Sequence, residues 1–409
     1  MNLNVDYARA AFPALDSDTV FFDNAGGSQI LGTVIERVVD YYHQCNVQLG
    51  GSYALSDIAR ARVNSGTASI GHWLHAAKPQ EAVVGPSSSA LIHLFATAIG
   101  KTLKAGDEII ITDADHEANR SPWLKLQEQG IVIKTWHFDQ ESYCLEWKDL
   151  EGLLNANTKL VAFCHVSNIF GTIHPIQEWV SLLRAKGILS FVDGVAYAPH
   201  RLPDVQAWEV DFYVCSLYKV YGPHVGVLYA KEEHLLQLPS PNHHFIAEND
   251  LPYKFQLGGP NYELTYSLTG MVAYLQQIAQ KHGLMPETPL REQWQYAYDL
   301  FAAHEAQLAQ YLLDFLNKQK NIVVIGCPTA EASKRVSTIS FIIKGKDSAV
   351  VAAPIAKHQI GIKTGDFYAK TIIKRLGLEE QGGVIRVSMV HYNTIGEVKK
   401  LIGLLKKAL

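Results

Sequence analysis

Between residues 80 and 230 the chain alternates between two textures. Short apolar, β-favouring runs stand at AVVG (82–85), EIIIT (108–112), IVIKTWHF (131–138), KLVAFCHV (159–166), LSFVDG (189–194), DFYVCS (211–216) and VGVLYA (225–230). Runs of this length and composition read as strands. Between several of them lie stretches with helical apolar spacing: SALIHLFATAIGKTL, NRSPWLKLQEQ and PIQEWVSLLRAKG. The alternation predicts an α/β fold with a mainly parallel sheet covered by helices on both faces. Several runs are apolar almost throughout, as strands buried on both faces are. In such sheets ligands bind beyond the carboxyl ends of the strands.

The last third has a different pattern. TPLREQWQYAYDLFAAHEAQLAQYLLDFLNKQ (288–319) is a long amphipathic helix pattern. It is followed by IVVIG, VSTISFIIKG, a helical SAVVAAPIAKHQ, IRVSMVHYN and a terminal helix IGEVKKLIGLLKKAL. We read a large α/β domain over residues 20–287. Residues 288–409, joined by 1–19, form a smaller α+β domain with a largely antiparallel sheet. No internal repeat or low-complexity linker interrupts the chain.

Composition narrows the function classes. The 409 residues are 48% hydrophobic and 19% charged, which is ordinary globular usage. The net charge is −4, with no basic stripe, so nothing electrostatic points to nucleic acid or an anionic membrane. No apolar run reaches the ~18 residues of a membrane span. The N-terminus lacks a basic region followed by an apolar one, so no secretory signal is expected. The five cysteines are odd in number and none forms a CxxC pair, which argues against a structural zinc site or a disulfide framework. This usage points to a reducing, cytoplasmic compartment.

Candidate chemistry collects at the strand ends. Ser87 and Ser88, in PSSSALIHLF, stand at a helix start, where hydroxyls and free N–H groups hold an anion or cap the helix. His116, in DHEANRSPW, either stacks on a flat ring or lies in solvent. The amide of Asn168 either donates to a ring oxygen or closes an Asx-turn. Asp193 ends an apolar strand and needs a partner, either an N-cap or a protonated heterocyclic nitrogen. Lys219, 26 residues later in SLYKVYGPHVGVLYA, sits in an aromatic turn. Desolvation there lowers an amine's pKa and suits Schiff-base chemistry; the alternative is a lysine that snorkels to solvent. Taken jointly, these groups match the needs of pyridoxal 5′-phosphate (PLP). It requires a phosphate site, a stacking face, a donor at the ring oxygen, an acid at the pyridine nitrogen and an amine for the aldehyde.

The segments FFDNAGGSQI, DHEANRSPW, SNIFGT, VDGVAYAPH, SLYKVYGPHVGVLYA, GGPNYE and IRVSMVHYNT resemble, in the same order, the landmarks of class V aminotransferases. The likeness is nearest to the cysteine desulfurase and selenocysteine lyase branch, and within it to cysteine desulfurase-like proteins. It runs from about residue 20 to 395. It implies the aspartate aminotransferase-like fold of PLP-dependent transferases, a homodimer and a small amino-acid substrate. By the same resemblance Lys219 forms the internal aldimine and moves the Cα proton, Asp193 pairs with the pyridinium nitrogen and His116 stacks on the ring. Asn168 contacts the ring oxygen or the substrate, and Ser87, Ser88 and Ser216 hold the phosphate. Arg386 clamps the substrate α-carboxylate, its alternative being a surface salt bridge.

The sequence departs from the family pattern in several places. Tyr218 stands where a histidine commonly touches the phosphate, and its hydroxyl can still donate. Ala196 replaces a glutamine that binds the ring oxygen, and Gly259 a threonine that crosses the dimer boundary. The stretch GIKTGDFYAKTII (361–373) matches the loop that carries the persulfide cysteine, yet it has none, and Tyr368 falls at or near the thiol's slot. The expected activity is therefore a C–S or C–Se lyase working through an external aldimine without the usual persulfide relay. A class V aminotransferase or an amino-acid epimerase is the alternative. Two readings from other classes are a cofactor-free scaffold, which the joint presence of Lys219, Asp193, His116 and Arg386 opposes, and a nucleotide-binding enzyme, whose glycine fingerprints are missing.

Overall fold

A computed structural model describes residues 2–409 of the chain. Seven strands form the large sheet: β1 (Ala82–Gly85), β2 (Glu108–Thr112), β3 (Val132–Trp136), β4 (Thr158–Cys164), β5 (Leu189–Asp193), β6 (Phe212–Ser216) and β7 (Gly226–Ala230). Their spatial order is β1-β7-β6-β5-β4-β2-β3. β7 is antiparallel to both of its neighbours, and the remaining pairs are parallel. Each strand coincides with an apolar run of the sequence to within about two residues at either end.

The continuous apolar runs have a direct cause. Successive side chains point to opposite faces, and both faces are covered. Val84, Ile110, Val161, Phe163 and Val192 pack on one side, and Val83, Ile109, Leu160, Ala162 and Phe191 on the other. Helices α1 (Gly32–Cys45), α2 (Ala54–Leu74), α3 (Ser88–Gly100) and α4 (Ile176–Ala185) belong to this part of the chain, as does α5 (Tyr262–Lys281). One expected helix is broken. NRSPWLKLQEQ forms a four-residue α-helix, Ser121–Leu124, flanked by 3-10 turns. Pro122 lacks an N–H and is tolerated only in a first turn, so the helix cannot begin earlier.

Helix α6 (Leu290–Leu316) links the two cores. Its first half places Trp294, Ala297, Tyr298 and Phe301 in the cluster against the large sheet, and its second half places Leu308, Leu312 and Leu316 in a second cluster. That second core lies against a four-stranded antiparallel sheet of β8 (Ile322–Ile325), β9 (Thr338–Ile343), β10 (Lys363–Gly365) and β11 (Val384–Ser388), in the order β10-β11-β9-β8. Helices α7 (Ser348–Ala356) and α8 (Ile395–Ala408) pack there as well. Leu3, Ala8 and Phe12 join the first cluster, and Val20 and Phe22 the second.

Candidate active site

The carboxyl ends of β1, β2, β4, β5 and β6 share one sheet edge, and each leads into a segment carrying a candidate group. A cavity at that edge is lined by Ser88, His116, Asn168, Asp193, Ser216, Tyr218 and Lys219, together with Ala196 and Cys164. A second hollow opens from it. It shares His116, Asn168, Tyr218 and Lys219 and extends to Lys363, Phe367, Tyr368 and Arg386. Ser87 lines neither; its side chain accepts from the N–H of Ala90 and caps α3.

The start of α3 and the end of β6 make a small polar cradle. Ser88 Oγ and Ser216 Oγ lie 2.6 Å apart. The approach depends on Gly226 in β7, where an added Cβ would stand 2.3 Å from Ser88 N. Two hydroxyls at a helix N-terminus, with its unpaired N–H groups and positive dipole end, suit a phosphate. Tyr218 closes this side, its ring stacked on His224 at 5.0 Å.

Lys219 ends a 3-10 turn, Leu217–Lys219, that follows β6 directly. The turn is fixed because Leu217 O accepts from both Val220 N and Gly222 N. Tyr221, in the left-handed region at φ +64°, donates its N–H to Ser28 Oγ. The lysine is only 8% exposed. Burial, reinforced by the charge of Arg386, lowers its pKa to about 8, against the opposing pull of Asp193 and Asp23. A buried amine in this state is a nucleophile near neutral pH.

Asp193 ends β5, and its Oδ1 accepts from Val195 N at 2.8 Å. Burial raises its pKa to about 6, opposed by that N–H and by Lys219. Asp115 lies close by and fully buried, its Oδ2 accepting from Thr112 Oγ1 at 2.8 Å. Burial first, and the neighbouring charge of Asp193 second, push its pKa to about 8. His116 uses Nδ1 to accept from Ala118 N, which leaves Nε2 to carry the proton. Burial, then the charges of Lys219 and Arg386, lower its pKa to about 4, so the ring is neutral.

Arg386 and Asn168 form the far wall. Arg386 Nη2 donates to Asp23 Oδ1 at 2.9 Å and Nη1 to the Asn168 carbonyl at 3.2 Å. Its guanidinium lies 3.8 Å from the centre of the Phe367 ring. Asn168 Nδ2 donates to Phe367 O at 3.0 Å. Asn168 Oδ1 and Arg386 Nε are both buried and find no protein partner. Phe367 and Tyr368 are held in the left-handed region at φ +52° and +57°, which bulky side chains rarely adopt. Tyr368 is 71% exposed, and its ring lies 5.5 Å from that of His116.

These features fit PLP: a hydroxyl cradle at a helix start, a buried nucleophilic amine, a buried carboxylate, a neutral imidazole and two buried polar atoms left without partners. Seven of the nine sequence candidates (Ser88, His116, Asn168, Asp193, Ser216, Tyr218 and Lys219) line the first cavity. Arg386 lines the second, and Ser87 stands apart as a cap. Sequence reasoning missed Asp23, Asp115, Lys363 and Phe367, although Asp23 lies inside the quoted FFDNAGG segment and Asp115 beside His116. Cys164 also lines the cavity, and burial raises its thiol pKa well above the ordinary value.

Comparison with known proteins gives a consistent family. Residues 20–401 match the family described as Aminotransferase class-V. Aminotransferase-like protein FGM3 of Gibberella zeae is 37% identical, the match covering 100% of this chain and 99% of that protein. Cysteine desulfurase-like protein ustD of Aspergillus flavus is 31% identical over 97% of this chain and 89% of its own length. Among solved structures, the apo cysteine desulfurase of Thermococcus onnurineus NA1 shares the fold with a TM-score of 0.87 at 24% identity, covering 100% of this chain and 98% of that one. With the match to the family spanning nearly the whole chain, the chain belongs to the class-V aminotransferase family of PLP-dependent enzymes.

Proposed function

We propose that the protein is a cysteine desulfurase-like lyase that acts on a small amino acid and releases its β-substituent without a persulfide relay. The observation that carries this reading is Lys219, a buried amine with its pKa lowered to about 8 between Asp193 and Arg386. Bound here, PLP would supply an aldehyde for the substrate amine and a ring able to accept electron density from Cα. Ser88, Ser216 and the start of α3 would hold its phosphate, and Asp193 would pair with its ring nitrogen. Neutral His116 would cover the ring without adding a positive charge. Arg386 takes the α-carboxylate, and Asp23, Asn168 O and the Phe367 ring fix its plane. Lys219 Nζ removes the Cα proton, after which the β-substituent leaves with its electron pair. Residues 361–373 contain no cysteine to accept it. Aminotransferase or epimerase chemistry would use the same Cα proton transfer but return the proton elsewhere.

The test is a Lys219→Ala variant beside the parent, with amino acids screened by cofactor absorbance and the products assayed as sulfide, selenide, ammonia and keto acid. Loss of the near-visible band and of turnover in the variant, with β-elimination products in the parent, is the expected result. Full turnover in the variant would refute the role of Lys219. An amino-group transfer product alone would replace the lyase with an aminotransferase.

We also infer a homodimer in solution. Ile35, Val39 and Tyr42 form an i, i+4, i+7 stripe on α1 and are 39%, 46% and 50% exposed; Leu55 and Ile58 on α2 are 37% and 47% exposed. Such an apolar face suits a second copy of the chain, and a molar mass from light scattering decides it. The five cysteines form no disulfide among the described residues, which suits the reducing cytoplasm, and no described helix is long and apolar enough to cross a membrane.

A further inference from the structure

Besides Lys219, two cations line the second hollow, Lys363 and Arg386. Lys363 on β10 is the direct antiparallel partner of Arg386 on β11. Residues so paired project from the same face of a sheet, and like charges in these positions repel. Both also border the Phe367 ring, Arg386 Cζ at 3.8 Å and Lys363 Nζ at 5.8 Å from its centre. Both line the hollow that reaches Lys219.

The acidic groups nearby are otherwise engaged. Asp23 pairs with Arg386 at 2.9 Å. Glu117, the one carboxylate lining the hollow, accepts from Thr371 Oγ1 at 2.8 Å and lies 3.8 Å from Arg120. Asp366 Oδ1 accepts from Tyr368 N. Among the described residues Lys363 has no carboxylate within ion-pair distance. The α-carboxylate goes to Arg386 in the reading above, which leaves Lys363 as a cation at the mouth of the same hollow.

We propose that Lys363 binds a second anionic group on the substrate side chain, so that the preferred substrates are small amino acids with an acidic side chain. This rests on the amino-acid reading of the site and names its substrate class. The ring of Phe367 borders both cations, and each would take a different anionic group.

The test compares L-aspartate with its neutral isostere L-asparagine and with L-alanine, titrated into the holoenzyme while cofactor absorbance is followed. Aspartate should bind at least ~10-fold more tightly than asparagine, a preference that weakens with added salt because it is electrostatic. In Lys363→Met the ratio of the two affinities should fall by about the same factor, and Lys363→Arg should keep most of it. Equal binding of aspartate and asparagine by the parent, or an unchanged ratio in Lys363→Met, would overturn the proposal. If none of the three amino acids perturbs the spectrum of cofactor-loaded protein, the amino-acid reading itself fails, and this proposal with it. If alanine and asparagine shift the spectrum and aspartate has no advantage, only the assignment of Lys363 is lost.

Discussion

The hydroxyl oxygens of Ser88 and Ser216 lie 2.6 Å apart although 128 residues separate them in the chain. They meet because β7, threaded between β1 and β6, carries Gly226 directly beneath the start of α3. Replacing Gly226 with alanine would put a methyl group 2.3 Å from Ser88 N, so either the strand or the helix must move. Gly226→Ala should weaken PLP binding at least ~10-fold, about 1.4 kcal/mol. Titration of apoprotein with PLP measures this, and a variant that binds as the parent does would show that the cradle is not the phosphate site.

Arg386 is held by three contacts at once: Asp23, the Asn168 carbonyl and the face of Phe367. A lysine has no planar fork and cannot keep those contacts while presenting two parallel donors to a carboxylate. Arg386→Lys should raise KM roughly 10- to 100-fold, about 1.4–2.7 kcal/mol. Phe367→Ala removes a cation–π platform worth roughly 0.5–2 kcal/mol and should move KM in the same direction by a smaller factor. Steady-state kinetics on both variants separate the two contributions.

Asp115 predicts a pH dependence in the apoprotein. Its pKa is raised from 3.8 to about 8 in the folded state, so between these values the folded chain binds more protons than the unfolded one. Its contribution to stability is present in full below pH ~4 and is lost as pH rises through about 8. Asp115→Asn keeps the size of the side chain and removes the titration. The melting temperature of the parent minus that of the variant should therefore fall steadily from pH 5 to 8. A flat difference would mean that Asp115 ionises normally.

Most of the fold was legible in the sequence because several nearly continuous β-branched and aromatic runs can be buried on both faces only in a covered sheet. The residues at their carboxyl ends were legible too, since parallel strands bring those ends to one edge whatever the loops between them do. What the sequence hid is tertiary. The facing of Lys363 and Arg386 depends on the register of two strands some twenty residues apart, and no periodicity reveals it. Phe367 under a guanidinium depends on left-handed backbone at two bulky residues, which propensity argues against. Ser87 and Ser88 are chemically alike and adjacent; only the direction of the first helical turn sends one into the cavity and makes the other a cap. Asp115 sits in a loop, where alternation no longer tells inward from outward.

Helix α6 runs unbroken from Trp294, which packs against the large sheet, to Leu316, which packs against the small one. A rod shared in this way ties the fates of its two ends together: neither half of the molecule can melt without stripping its neighbour of a wall. Calorimetry of the apoprotein should accordingly record a single endotherm, and a proline placed at solvent-facing Gln307, between Phe301 of one cluster and Leu308 of the other, should lower both halves together instead of splitting the trace in two.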